Sequence, residues 1–133
     1  MSVRLNTFFM MSAVALASSA SSAAYAQQSI ALKSGESTDL GPIYWVAQCR
    51  SIVLGIPDVE ILEGPPGLTL SIREGMVLPR KQNCPTEVPG GILVAKAGEV
   101  KDPVQGRLIY RIKYKTKDGD RQLSNTYNVS LFP

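Results

Sequence analysis

The chain contains no histidine and only two cysteines. Without histidine there is no Ser-His or Cys-His nucleophilic pair, no side chain that titrates near neutral pH of its own accord, and no route to most zinc sites. Cys49 and Cys84 are too far apart in sequence for the Cys-x-x-Cys spacing that makes a redox dithiol. The phosphate-cradling patterns Gly-x-Gly-x-x-Gly and Gly-x-x-x-x-Gly-Lys are missing, as are Gly-x-Ser-x-Gly and Ser-x-x-Lys. No Asp-x-Asp-x-Asp-Gly loop offers a calcium site. Past residue 26 no stretch approaches the ~20 apolar residues of a membrane helix, and no window carries a sustained helical stripe. A net charge of +3 lacks the strongly basic character that nucleic-acid binding needs. The residues thus imply no enzyme, no cofactor, no metal and no nucleic-acid partner.

What is present begins with an address. Arg4 precedes an apolar run from Phe8 to Ala17, and Ala24-Tyr25-Ala26 places small residues where a signal peptidase reads them. Residues 1–26 are therefore expected to be a cleaved secretory signal, leaving 27–133 as one domain without an integral membrane segment, periplasmic or secreted. Losing Arg4 lowers the net charge by one, which reads as ordinary solubility. In an oxidising compartment Cys49 and Cys84 are expected to form one disulfide. It closes a loop of roughly 36 residues, worth about 4 kcal/mol in the chain-entropy model.

Gly and Pro punctuate the rest at short intervals, with β-rich runs between them. Expected strands are Ser29–Lys33, Thr38–Leu40, Val59–Leu62, Leu68–Arg73, Met76–Leu78 and Ile92–Lys96, followed by a carboxy-terminal hairpin. Residues 43–54 alternate poorly and leave room for a short helical turn. Gly64-Pro65-Pro66-Gly67 is expected to be a turn joining two antiparallel strands. About seven strands point to an all-β chain, a small antiparallel β-sandwich of immunoglobulin-like architecture with one disulfide. This is a statement of architecture alone, because Trp45 precedes the first cysteine and no tyrosine lies two residues before Cys84.

The hairpin carries the clearest pattern. Leu108, Tyr110, Ile112 and Tyr114 alternate with Ile109, Arg111, Lys113 and Lys115. Asp118-Gly119 suits a two-residue type I′ loop. That turn pairs Tyr114 with Leu123, Ile112 with Asn125, Tyr110 with Tyr127 and Leu108 with Val129. One face is then apolar and one wet, with Asn125 the single polar misfit.

Two surfaces are candidates for binding. The first is the wet hairpin face: Arg111, Lys113, Lys115, Arg121 and Thr126, with Arg107, Lys101 and Lys117 nearby. It suits an acidic envelope or secreted protein, or an anionic glycan. The second is the loop from Arg80 to Gly91, with Arg80, Lys81, Pro85, Thr86 and Glu87 tethered by Cys84 and stiffened by proline. It suits a pre-organised inhibitor loop. Asp58, Glu60 and Glu63 are spaced for a carboxylate pair but read more simply as the wet side of a strand. The glycosylation sequon Asn128-Val129-Ser130 falls inside a strand. The functional expectation is an exported, non-enzymatic binding module of the envelope. Its alternatives are a secreted inhibitor of a protease or other hydrolase, and a pilus-type subunit donating Ser29–Lys33 to a neighbour.

Overall fold

A computed structural model describes residues 28–133. The expected signal, residues 1–26, lies outside the described residues. Nine strands follow in chain order: β1 (Ser29–Lys33), β2 (Ser37–Ile43), β3 (Val46–Ala47), β4 (Arg50–Ser51), β5 (Asp58–Glu63), β6 (Leu68–Val77), β7 (Val88–Ala97), β8 (Val104–Thr116) and β9 (Gly119–Phe132). A single 3-10 turn at Arg80–Gln82 separates β6 from β7. One sheet has the order β1-β9-β8-β5 and the other β2-β7-β6, while β3 and β4 form a two-residue hairpin of their own. The seven long strands make the expected sandwich of immunoglobulin-like architecture, with β5-β8-β9 facing β2-β7-β6. The sheets are not wholly antiparallel, because β1 runs parallel to β9.

Alternation explains the core. Leu108, Tyr110, Ile112 and Tyr114 from β8 and Tyr127, Val129 and Leu131 from β9 are all buried. They form one cluster with Leu32 of β1, Ile43 of β2, Leu68 of β6 and Leu93, Ala95 and Ala97 of β7. A period of two puts every second side chain inside and leaves the intervening residues wet.

The hairpin keeps its expected faces but not its expected partners. Tyr114 pairs with Arg121, Ile112 with Leu123, Tyr110 with Asn125 and Leu108 with Tyr127. The central turn residues are Lys117 and Asp118, not Asp118 and Gly119, and every pair moves by two. A type I′ loop needs two consecutive residues with positive φ, and here only Gly119 takes one, at 111°. Thr116 fixes the choice. Its buried hydroxyl accepts from the Asp118 N–H at 3.2 Å and donates to the Gly119 carbonyl at 2.6 Å. A two-residue slip preserves which face each side chain occupies, so the apolar pattern alone does not select between the two registers.

Other expectations are corrected by contacts between distant strands. The Gly64–Gly67 segment turns the chain, but β5 pairs with β8 and β6 with β7, so it carries the chain from one sheet to the other. Pro65 is buried there, against Gly106. The 43–54 segment holds the β3–β4 hairpin and no helical turn. Its turn residues Gln48 and Cys49 have φ of 52° and 60°, the two positive values of a type I′ loop. Met76–Leu78 is not a separate strand, since β6 runs unbroken to Val77. Pro89-Gly90-Gly91, expected as loop, belongs to β7, where Gly90 pairs with Gly75. A Cβ on Gly90 would collide with the Ile43 carbonyl oxygen, so only glycine lets β2 and β7 close up at this point.

The sulfur bridge is formed as expected. Cys49 is bonded to Cys84 with a Cα–Cα distance of 5.4 Å, joining the β3–β4 turn to the loop that precedes β7.

Candidate binding site

The basic stripe is largely neutralised by its neighbour strand. β5 lies beside β8, so Asp58 pairs with Lys113 and Glu60 with Arg111. Glu60 accepts from Arg111 at 2.9 Å and sits 3.3 Å from the Lys113 ammonium. Glu63 holds Arg107 at 3.3 Å, and Lys115 faces Asp120 across the hairpin. The hydrogen bond from Arg111, followed by that from Lys113, holds the Glu60 carboxyl below its usual 4.5. A depressed carboxylate stabilises the fold at neutral pH and loses that contribution as pH falls through its folded value; exposed as Glu60 is, the contribution is small. Glu60 and Glu63 are therefore ion-pair partners of the stripe, and Asp58 stands opposite Lys113 in register.

The stripe also loses a member. Arg121 pairs with Tyr114 and so stands on the opposite face of the sheet. Thr126 pairs with Ile109 and remains on the outer face. A consequence is measurable on heparin resin. Changing Arg111, Lys113 and Lys115 together to Ser is expected to lower retention, because it removes three cations and leaves the Glu60 carboxylate unpaired against an anionic resin. Glu60→Gln is expected to increase retention by unmasking two cations.

The Cys84 loop is shorter than expected, because β7 already begins at Val88. Arg80, Lys81, Pro85, Thr86 and Glu87 are exposed, while Cys84 and Pro79 are buried. Asn83 takes a left-handed φ of 55° to end the 3-10 turn. Lys81 and Gln82 reach the rim of a cleft that sequence reasoning missed.

That cleft, about 610 Å³, lies on the open side of the sandwich. One wall is the stretch Leu40–Val46, from β2 into β3; the other is the inner face of β8 and β9, including Tyr110, Tyr114, Leu123, Asn125 and Tyr127. Trp45 leans on Tyr114 with ring centroids 5.3 Å apart, and Tyr110 stacks on Tyr127 at 6.1 Å. The Tyr127 hydroxyl donates to the Leu40 carbonyl at 3.1 Å and ties the two walls together. Leu123 is 52% exposed although it lies on the core-facing side of β9. It extends the apolar wall to the mouth of the cleft. Lys81 is the one charged side chain among the described lining residues.

Burial, and then the neighbouring Tyr127, push the Tyr110 phenol up to about 12. Burial likewise raises Tyr114 and Tyr127. These phenols stay neutral at physiological pH, as hydrogen-bonding but uncharged walls. A folded pKa raised above the unfolded value gives stability that is complete below the unfolded value and lost as pH rises through the folded one. Resistance to urea should therefore fall above about pH 10. Tyr110→Phe is expected to blunt that fall, and a urea midpoint unchanged between pH 9 and 12 would contradict this account.

Strand pairing defines the cleft's upper border. Among the described residues β1 covers β9 from Asn128 to Phe132. The Asn128 N–H donates to the Gln28 carbonyl at 2.8 Å, so the even-numbered backbone groups of β9 point toward β1. By the same alternation, those of Gln122, Ser124 and Thr126 point outward on the same edge. Among the described residues no strand pairs with β9 there. The Thr126 N–H is taken by its neighbour's side chain, the Asn125 Oδ1, at 2.9 Å. Asn125, the misfit of the sequence pattern, was the one signal that this end of the apolar face is not sealed. The sequon Asn128-Val129-Ser130 lies in the paired part of β9.

Among the described residues no helix is long and apolar enough to cross a membrane, and no cluster of His, Cys, Asp and Glu is arranged to hold a metal ion. No known family, curated protein or solved structure matches the chain.

Proposed function

We propose that the protein is an exported, non-enzymatic binding module of the cell envelope, and that its contact surface is the aromatic cleft. The observation that carries this reading is the cleft itself: a recess of about 610 Å³ with aromatic walls and few charges, left open in an otherwise closed sandwich. The disulfide supports export, since such bonds persist in oxidising compartments. The hairpin stripe is the weaker candidate, because Arg107, Arg111 and Lys113 are already paired with Glu60 and Glu63. A pilus-type subunit would have to give up Ser29–Lys33, which is engaged with its own β9.

Pulldown from native envelope, using equally folded variants, tests the proposal. Leu123→Arg should reduce capture of a partner roughly tenfold, a loss of about 1.4 kcal/mol. The triple Ser variant of Arg111, Lys113 and Lys115 should leave capture intact. The opposite pattern would move the contact surface to the stripe and defeat the proposal.

A further inference from the structure

We infer that the occupant of the cleft is an extended segment of another polypeptide, added as a strand to the edge of β9 between Gln122 and Tyr127, which no strand among the described residues covers. This rests on the cleft being the contact surface and goes on to say what enters it. The first argument is backbone chemistry. The outward N–H and C=O groups of Gln122 and Ser124 and the outward carbonyl of Thr126 form a row spaced for another extended chain. A globular surface or a sugar does not match such a row, whereas a strand does so by geometry alone.

The second argument is continuity. β1 already pairs with this edge from Asn128 onward and stops at the border of the cleft, where Gln28 is a lining residue. An incoming strand of about five residues would continue that pairing along the rest of β9. The third argument is side-chain chemistry. A strand on this edge turns alternate side chains toward the inner side of the sheet, where Tyr110, Tyr114, Leu123 and Tyr127 line the recess. Those positions call for apolar or aromatic residues. Among the described residues Lys81 is the one charged lining side chain, so a single carboxylate on the segment has a partner there and a cation does not. Asn125 guards the edge by occupying the Thr126 N–H, a small barrier against indiscriminate pairing.

The probe is a seven-residue peptide with Val and Phe alternating with Thr and with one Glu, titrated into the exported protein and followed by amide hydrogen exchange. Binding should slow exchange at Gln122 and Ser124 by roughly tenfold or more. The same peptide N-methylated at alternate residues keeps its side chains but loses its donors, and should bind roughly tenfold more weakly. Equal binding of both peptides without protection of Gln122 and Ser124 would overturn strand addition while leaving the cleft as the contact surface. Binding of neither peptide would also overturn it, whereas the cleft reading stands or falls on the Leu123→Arg capture experiment. Protection of the same amides that rises with protein concentration, without peptide, would assign the edge to a second copy and overturn the inference. Protection in the free protein that vanishes on truncation to residues 28–133 would assign the edge to the chain's own preceding residues, and strand addition by another polypeptide would again be overturned.

Discussion

Replacing Cys49 and Cys84 together by serine is expected to lower the thermal midpoint by roughly 10–20 °C. The bridge spans 35 residues of sequence, which gives about 4 kcal/mol of loop-closure entropy removed from the unfolded chain. Part of that is offset in the native state. Among the described residues the three non-glycine residues with positive φ are Gln48, Cys49 and Asn83, and all lie at the two ends of this bond. Each such conformation costs about 1 kcal/mol, less for Asn. Releasing the bond lets these residues relax, so the net loss should be about 2–4 kcal/mol, against a total stability of ~5–15 kcal/mol. The loss should not be confined to stability. Tyr44 and Trp45 lie between β2 and the bridged turn, and both line the cleft. The double variant should therefore bind cleft ligands more weakly even at temperatures where it is folded. A midpoint within a few degrees of the parent in oxidised, calorimetrically matched samples would contradict the assignment.

Leu108→Ala is expected to cost about 3–5 kcal/mol. Leu108 has no exposed surface and lies mid-way along β8, with its Cδ1 3.3 Å from where a Cβ on Gly64 would stand. It fills the space beneath the Gly64–Gly67 crossing between the sheets, and neither the crossing nor the strands can collapse into the vacated volume without breaking β5–β8 or β6–β7 pairs. Leu123→Ala, on the partner strand of the same hairpin, should cost roughly 0.5 kcal/mol or less, because that side chain is half in water. Urea unfolding of both variants checks the contrast. Comparable losses at the two positions would mean that the distal end of the hairpin is sealed into the core and that the cleft is not open.

Local chemistry made much of the fold legible. Ser29–Lys33 forms the strand expected of it, the two cysteines pair with each other, and the alternation from Leu108 to Tyr114 assigns the faces of the last hairpin. What was not legible depends on contacts between distant residues. The hairpin register turned on one hydroxyl, that of Thr116, because slipping by two residues leaves every face unchanged. Gly64-Pro65-Pro66-Gly67 announces a reversal of the chain but not which sheet receives it. The charge of Arg111, Lys113 and Lys115 looked like a surface feature until β5 placed Glu60 beside two of them. The cleft was least legible of all. Its walls come from residues 40–46, 81–82 and 110–127, brought together only when both sheets are stacked. Asn125 and the shortness of β1 relative to β9 were its traces in the sequence and the pairing.

Residue-resolved amide exchange along β9 of the free, disulfide-bonded protein tests the central claim most directly, that this strand is sealed at one end and open at the other. Asn128, Ser130 and Phe132, facing β1, should exchange slowly, as should Leu123 and Asn125, which face β8. Gln122 and Ser124 should exchange at close to the rate of an unstructured chain. Slow exchange running without a break from Gln122 to Phe132 in dilute, ligand-free protein would show a strand with no open edge, and the account would fail.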